Sequence, residues 1–315
     1  MGGRTVRVTA PGKINLFLGV GPVREDGYHD LATVFQAVSL LEEITATESE
    51  ELSVKFDGPI DTAALDAQDN LVIRAAQAVE REARAKFEAS NGNTGTVFGA
   101  NLEVVKRVPI AGGMGGGSAD AAATLVALNE LWRVGLTTKE LDALAAGLGA
   151  DVPFAIHGGT EMGLGPGDEL SPVLTTGHFE WVLVQSEVGL STPEVFKELD
   201  RMRTGQTSTP VVPPELLQAL RLGDTTALAG HLHNDLQLAA LNLRPELGAV
   251  IELGESSGAL RGLISGSGPT VIFLMPNGDA ALSLVEKFVA NGKAAVRSIS
   301  PVPGARVEQM EPQTG

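Results

Sequence analysis

Cysteine is absent from all 315 residues. That removes disulfides, thiolate nucleophiles and cysteine-based zinc sites together, and it fits a reducing compartment such as the cytoplasm. Aromatic residues make up only 4% of the chain, and Tyr28 is the single tyrosine. The core must therefore be built from Ala, Val, Leu and Ile. Positive charge is scarce: 23 Lys and Arg stand against 39 Asp and Glu, a formal net charge of −16. Such a chain repels nucleic acid at long range, so no nucleic-acid partner is expected. The same field repels any phosphorylated ligand, so an anion site here has to be built locally from backbone N–H groups and a few lysines. No uncharged apolar run reaches the length of a membrane span. Met1 to Ala10 hold no apolar segment of the signal-peptide type. A cytoplasmic protein without a membrane partner is the expectation.

What is present is globular in composition, with 43% apolar and 20% charged residues. The length suits one large domain or two ordinary ones. Arg4–Thr9, Lys13–Val20, Thr33–Leu40, Ser53–Asp57 and Asn101–Lys106 read as strands, the second with Ile14, Leu16 and Leu18 on one face. Asp69-Asn70 is a cap for a helix from Leu71 to about Phe87. Asp120–Val134 lacks Gly and Pro and spaces Leu125, Leu128, Leu131 and Trp132 as a helix face. Thr137 to Glu140 is a capping box, and the helix it opens stops at Gly147 or Gly149, with Pro153 just beyond. A Gly-rich composition shift at His157–Gly167 places a domain boundary near residue 160. Beyond it come strands at Trp181–Gln185, Leu260–Ser265, Thr270–Met275 and Arg306–Met310. Helical segments are expected at Pro214–Leu241 and Ala280–Ala290. Asn91–Gly99 and Thr204–Pro214 read as loops. The mixture predicts an α+β fold in two lobes, residues 1–160 and 161–315.

The strongest chemical signal is Gly112-Gly113-Met114-Gly115-Gly116-Gly117-Ser118. Five glycines in six positions cost backbone entropy on folding, which is repaid where the main chain must curl tightly against a ligand. The run leaves a predicted strand and enters a helix. Free N–H groups and a helix N-terminus then surround one point, which suits a polyphosphate. The bland reading is a flexible turn. The common phosphate loop GxxxxGK[ST] is not present, because Arg7 precedes Gly12-Lys13 and Lys287 precedes Gly292-Lys293 where glycine is required.

Phosphoryl transfer needs a phosphate cradle, a cation for developing charge and a group that orients the acceptor hydroxyl. Lys13 opens an apolar strand, where a lysine is costly unless paired or turned to solvent. Asp151 lies just past a helix end, where the dipole gives a carboxylate nothing. The two could form an acid/base couple or be an edge lysine and a turn aspartate. Tyr28 and His29 follow the Asp26-Gly27 turn between two strands. There a ring can stack on a flat base while a histidine meets its edge. His231 and His233 are spaced i,i+2 in a helical segment, which puts them on different faces, and no metal site is expected. His157 and His178 read as turn or surface residues.

Three segments line up in order: Pro11-Gly12-Lys13-Ile14-Asn15-Leu16, the glycine loop, and Ser265-Gly266-Ser267-Gly268-Pro269-Thr270. Together they resemble the three-motif pattern of the GHMP kinases. Arg24–His29 (REDGYH), Thr33-Val34-Phe35-Gln36 and Gly149–Phe154 (GADVPF) are similar to the members of that superfamily that phosphorylate 4-diphosphocytidyl-2-C-methyl-D-erythritol. The match runs from about Val8 to Phe273. The resemblance implies a two-lobed GHMP-kinase fold with the active site in the cleft between lobes. It implies Lys13 and Asp151 as the catalytic pair. The ATP-phosphate loop would be Pro109, Ile110, Ala111, Gly112, Gly113, Met114, Gly115, Gly116, Gly117, Ser118 and Ala119, with the Ser118 hydroxyl facing Mg2+ carried by the nucleotide. Asn15, Tyr28, His29, Thr192 and Phe196 match acceptor-side positions, with Tyr28 and Phe196 as rings stacking on a cytosine. Met114 replaces a usual leucine and Ala119 a common serine; neither change removes a backbone donor.

The implied activity is transfer of the ATP γ-phosphate to the 2-hydroxyl of that cytidyl diphosphate in the non-mevalonate isoprenoid route. Two alternatives stay open: another GHMP small-molecule kinase, of homoserine or mevalonate type, and a nucleotide-binding sensor without chemistry. The sequence is silent on oligomeric state, and a homodimer is one option.

Overall fold

In a computed structural model the described residues are 3–25, 27–60, 62, 65, 70–91, 98–165, 169–186, 188–203 and 208–311. Asp26, Asp69 and most of the expected Asn91–Gly99 loop lie outside them, as do residues 166–167 of the glycine-rich shift and 204–207 of the Thr204–Pro214 loop.

The first half runs β1 (Thr5–Val23), β2 (His29–Ser49), β3 (Ser53–Asp57), α1 (Leu71–Asn91), β4 (Gly99–Val105), α2 (Gly116–Leu131), α3 (Thr138–Ala146), α4 (Val152–His157), β5 (Thr160–Gly165) and β6 (Glu169–Pro172). The second runs β7 (Phe179–Val184), α5 (Thr192–Met202), α6 (Pro214–Leu222), α7 (Thr225–His231), β8 (His233–Asn234), α8 (Gln237–Leu243) and α9 (Glu246–Ser256). It closes with β9 (Arg261–Ile264), β10 (Val271–Met275), α10 (Gly278–Ala290), β11 (Ala295–Ser300) and β12 (Arg306–Glu311). The fold is α+β.

β1 is the backbone of the site. The two expected strands, Arg4–Thr9 and Lys13–Val20, are one strand, because Pro11-Gly12 is absorbed as a register shift against β2 instead of breaking the pairing. One end of β1 (Val6, Val8, Ala10) feeds a core shared with α1 and α2, and the other (Ile14, Leu16) feeds a second core against the smaller sheet. α2 carries Ala119, Ala121, Ala122, Ala123 and Ala127, all buried. A helix apolar nearly all round has to be interior, and its small side chains let α1, α4 and the sheet approach closely.

An eight-stranded sheet has the order β12-β1-β2-β4-β3, with β5 also pairing β2 and β6, and β8 pairing β1. A four-stranded antiparallel sheet has the order β11-β7-β10-β9. Alternation along β7 and β10 sends Trp181, Leu183, Ile272 and Leu274 towards the large sheet. Val182, Val184, Val271 and Phe273 face a core that includes Leu284 and Phe288 of α10. A buried polar chain joins the two sheets: Trp181 Nε1 donates to Ser300 Oγ (2.6 Å), and Ser300 Oγ donates to Gln36 Oε1 (2.5 Å).

The expected lobes 1–160 and 161–315 do not follow the sheets. β5, β6 and the terminal β12 all join the eight-stranded sheet, so the chain returns to where it began. Several elements escaped the sequence reading: α4, α5, α9, β5, β6, β8 and β11. The capping box at Thr137 and Glu140 is present as expected. His231 and His233 do not share a helix: the first ends α7 and the second begins β8, where it pairs with Asp235 at 2.8 Å.

His157 is more than a surface residue. It ends α4, with Nδ1 3.0 Å from Glu161 Oε1 on β5 and Nε2 2.8 Å from Asp142 Oδ1 on α3. The hydrogen bond to Glu161 is the main cause that raises its pKa from 6.5 to about 9; burial opposes it, and the charges of both carboxylates add to it. A raised folded-state pKa stabilises fully below the unfolded value and is lost as pH climbs through the folded one. His157→Gln should therefore lower the melting temperature at about pH 6 and change it little at about pH 10. Thermal unfolding at both pH values checks this, and an equal loss at both would rule the clamp out.

Candidate active site

The register shift at Pro11-Gly12 precedes Lys13 immediately. Lys13 is buried, and its backbone N–H donates to the carbonyl of Met114 at 2.9 Å. That single bond ties the first motif to the glycine loop. The Lys13 ammonium donates to Asn15 Oδ1 at 2.8 Å and lies 5.2 Å from the centroid of the Phe35 ring. Asn15 in turn donates to Thr33 Oγ1 at 2.9 Å, which fixes its amide orientation.

Asp151 Oδ2 is 3.9 Å from the Lys13 ammonium. This is charge contact without a hydrogen bond, so both groups keep capacity for a third partner. The expectation that Asp151 lies beyond a helix end, remote from a favourable dipole, is half the picture. It is also the residue before α4, whose first turn contains Pro153. Proline stops a preceding helix and equally well starts a new one. The Asp151 side chain makes no capping bond to α4, which leaves it free to face Lys13.

The loop from Pro109 to Gly115 turns back on itself, and Gly116 begins α2. Gly115 precedes the helix without any capping side chain, and no acidic residue sits in the first turn. The leading amides of a helix have no internal acceptor. Here no N-cap side chain meets them, and they stand at the positive end of the dipole, where an anion is favoured. Gly115 (φ +68°) passes so close to the pair that a Cβ there would lie 3.2 Å from Lys13 Cγ and 3.8 Å from Asp151 Oδ2.

The third motif joins from the other side. Ser265 Oγ donates to the Gly113 carbonyl at 3.2 Å. Gly266 lies beside Asn15 and Lys13, where a Cβ would stand 3.2 Å from Asn15 Oδ1 and 3.5 Å from the ammonium. Asn234 braces this turn, donating to the carbonyls of Ile264 (2.8 Å) and Gly266 (2.7 Å) while accepting from Leu236 N–H (2.9 Å). Ser267 Oγ meets Thr192 Oγ1 at 2.8 Å, which fixes the start of α5.

A cavity of about 480 Å³ is lined by Lys13, Asn15, Asp151, the glycine loop from Pro109 to Ser118 (Met114 excepted) and Ser267. A second cavity, about 750 Å³, is lined by Tyr28, His29, Phe196 and Asp200 among others. Leu31, Thr192 and Phe196 line both, so the two spaces adjoin. Tyr28 is 72% exposed at the outer cavity, whereas His29 is buried with its ring 5.1 Å from that of Phe196. Met114 and Ala119 are wholly buried and hold the loop from beneath, contributing no surface to the cavity.

Beneath the loop sits a buried ion cluster. The Lys106 ammonium is 2.5 Å from Glu42 Oε1 and 2.6 Å from Asp120 Oδ2. Glu42 also accepts from the N–H of Arg107 at 2.8 Å. Burial first, then the charge of Asp120, pushes the Glu42 pKa up to about 7, and burial raises that of Asp120.

The sequence reading selected Lys13, Asn15, Tyr28, His29, Asp151, Thr192, Phe196 and the loop, and all of them line the joined cavities except Met114 and Ala119. It missed Phe35, Asn234, Asp200 and the Lys106 cluster. A lysine in the last positions of a predicted strand was the one available signal for Lys106. Asn234 lay inside a segment read as helix.

Two family models match the chain: the GHMP kinases N terminal domain over residues 70–159 and the GHMP kinases C terminal domain over residues 216–294. A protein of Leifsonia xyli subsp. xyli (strain CTCB07), named 4-diphosphocytidyl-2-C-methyl-D-erythritol kinase, is 51% identical over 311 residues, covering 96% of this chain and 98% of its own. One of the same name from Arthrobacter sp. (strain FB24) is 51% identical over 315 residues, covering 96% and 95%. The chain belongs to this GHMP kinase family. A crystal structure of a 4-(cytidine 5'-diphospho)-2C-methyl-D-erythritol kinase superposes with a TM-score of 0.76 at 31% identity, covering 94% of this chain and 99% of the other. The mevalonate kinase of L. major, at 19% identity and a TM-score of 0.70 over 94% and 95%, shares the fold. As a GHMP kinase the chain is a phosphotransferase, and its three motifs meet at one cavity. No helix among the described residues is long and apolar enough to cross a membrane.

The glycines of the loop are not equivalent. A Cβ on Gly113 (φ +75°) would stand 2.1 Å from the Ser265 carbonyl oxygen, whereas one on Gly117, inside α2, would meet only Leu71 Cδ1 at 3.5 Å. Gly113→Ala should destabilise the protein by about 1–3 kcal/mol or more. Gly117→Ala should be neutral or stabilising by about 0.5–1 kcal/mol. Denaturant unfolding of the two variants checks the contrast, and equal stability would contradict the close approach of loop and third motif.

Proposed function

We propose that this kinase transfers the γ-phosphate of ATP to the 2-hydroxyl of 4-diphosphocytidyl-2-C-methyl-D-erythritol, the compound in the names of its kinase relatives. The observation that carries the reading is the pairing of Lys13 and Asp151 at 3.9 Å, directly beside a glycine loop that ends in an uncapped helix. ATP enters as MgATP, so the metal belongs to the substrate. The amides at the start of α2 hold the phosphate tail, and Ser118, in its first turn, is the side chain best placed to meet the cation. The homoserine and mevalonate readings gain nothing from the outer cavity. A cytidyl group supplies a flat base for the space between Tyr28 and Phe196.

The acceptor hydroxyl lies between Asp151 and the γ-phosphorus. Its oxygen forms the new bond to phosphorus, the bond from the γ-phosphorus to the bridging oxygen breaks, and ADP leaves with that electron pair. The proton of the hydroxyl passes to Asp151. Lys13, held by Asn15, places positive charge next to both the attacking oxygen and the transferring group. We assign the phosphate loop and catalytic pair to residues 1–160, and propose that residues 161–315 close the acceptor side through Thr192, Phe196 and the Ser265–Thr270 turn. Association as a homodimer and a cytoplasmic setting are compatible with this reading.

The test is release of ADP by purified protein given MgATP and the cytidyl acceptor, alongside homoserine and mevalonate. Turnover of either of the latter without the former would leave the kinase fold and remove the substrate. Asp151→Asn should cut kcat by about 10²-fold or more with the fold preserved, and a variant of unchanged kcat would exclude a catalytic role. Tyr28→Ala should raise KM for the acceptor by roughly 5- to 150-fold, the worth of one base–aromatic stack, and leave KM for ATP alone.

A further inference from the structure

His29 opens β2 and presents its ring to the outer cavity. Its Nε2 lies 2.9 Å from Oδ1 of Asp200, and Asp200 stands one helical turn beyond Phe196 on α5. An ionised carboxylate only accepts, so the proton in this bond belongs to Nε2. A neutral imidazole with its proton on Nε2 carries a bare lone pair on Nδ1. Asp200 is the only hydrogen-bond partner of the His29 ring among the described residues.

The contact is not required to hold α5 in place. The start of that helix is fixed by Thr192 to Ser267. Just past its end, Arg203 donates to the carbonyls of Gly21 (3.0 Å) and Val20 (2.8 Å) and to Asp235 Oδ2 (3.2 Å). The consequence of the Asp200 contact is therefore local to the ring that it orients.

We propose that Asp200 is a specificity-positioning residue: by accepting the Nε2 proton it fixes the His29 tautomer, so that Nδ1 accepts from the exocyclic amine of a cytosine and opposes the carbonyl oxygen that uracil carries at that position. This deepens the cytidyl reading above and rests on it. The base edges differ in the required sense. Cytosine offers an N–H donor at C4, and uracil offers an oxygen there, which would set lone pair against lone pair. Stacking alone is tolerant of base identity, since every base has a π-face. Tyr28 and Phe196 then supply affinity, and the His29–Asp200 pair supplies the choice.

Asp200→Asn tests this with almost no change of shape. The amide presents both an oxygen and an NH2 to Nε2, so either tautomer fits. The expected result is an unchanged melting temperature, unchanged KM for ATP and near-unchanged kcat. The kcat/KM preference for the cytidyl acceptor over its uridyl analogue should fall about tenfold, carried by KM. A second measurement reads the tautomer directly. With 15N-labelled histidine at about pH 8.5, above the ordinary imidazole range, the Nδ1 of His29 should resonate as unprotonated in the wild type and shift towards the protonated position in Asp200→Asn. A protonated Nδ1 in the wild type would overturn the proposal, as would a folded Asp200→Asn variant that keeps the full preference. A wild-type protein that does not turn over the cytidyl acceptor sinks the parent reading and this one with it. That outcome is distinct from an active variant of unchanged preference.

Discussion

Everything at this site depends on how closely three stretches of main chain approach one another. The Lys13 N–H bonds the Met114 carbonyl, the Ser265 hydroxyl bonds the Gly113 carbonyl, and Gly115 passes beside the Lys13 and Asp151 side chains. Segments 13, 113 and 265 are far apart in the chain, so their convergence carries a large entropic cost. Backbone bonds at positions without side chains meet that cost in the least volume. The proposed phosphate cradle is thus the visible surface of a contact whose other side is structural.

The cluster below the cradle has the same logic with charge. Lys106 ends the segment that leads into the loop, Asp120 lies in α2 just after it, and Glu42 reaches in from β2. Two carboxylates share one ammonium in a site almost sealed from water. Burial opposes the charge on Lys106, but the two acids outweigh it and its pKa rises. Removing one partner from such a cluster leaves an uncompensated buried charge, which is far costlier than the net worth of the intact set. The loop is therefore pinned at its base by charge and at its crown by hydrogen bonds, and no N-cap side chain covers the start of α2.

The proposed acceptor side is arranged along a single helix. α5 begins at Thr192, tied to the third motif, carries Phe196 between the two cavities and reaches Asp200 beside His29. One rigid element thus registers the outer space, with its exposed Tyr28, against the inner space where Lys13 and Asp151 meet. In the proposed reading, a molecule flat at one end and carrying a hydroxyl at the other would span both spaces along this eleven-residue helix. Preorganisation of this kind fixes reactive geometry without motion at the moment of transfer.

Local chemistry was legible in the chain itself. The glycine run declared a close backbone approach, Lys13 declared a cost in an apolar strand, and Tyr28-His29 declared a ring pair at a turn. Alternation gave most strands, and the capping box gave α3. Pro11-Gly12 was read as a break because a one-dimensional pattern cannot tell a gap from a bulge that the partner strand absorbs. Pro153 marked only the far side of the stop at Gly147 or Gly149, although a proline equally well begins the next helix, as it does in α4. The Asn234 brace, the Lys106 cluster and the His29–Asp200 bond have no local signature, since each joins residues that only meet once the sheets have packed. Sequence determined which groups are available and which backbone positions are bare. The tertiary fold alone decided their distances, because electrostatic and hydrogen-bond energies depend on separations of a few ångströms that no spacing along the chain encodes.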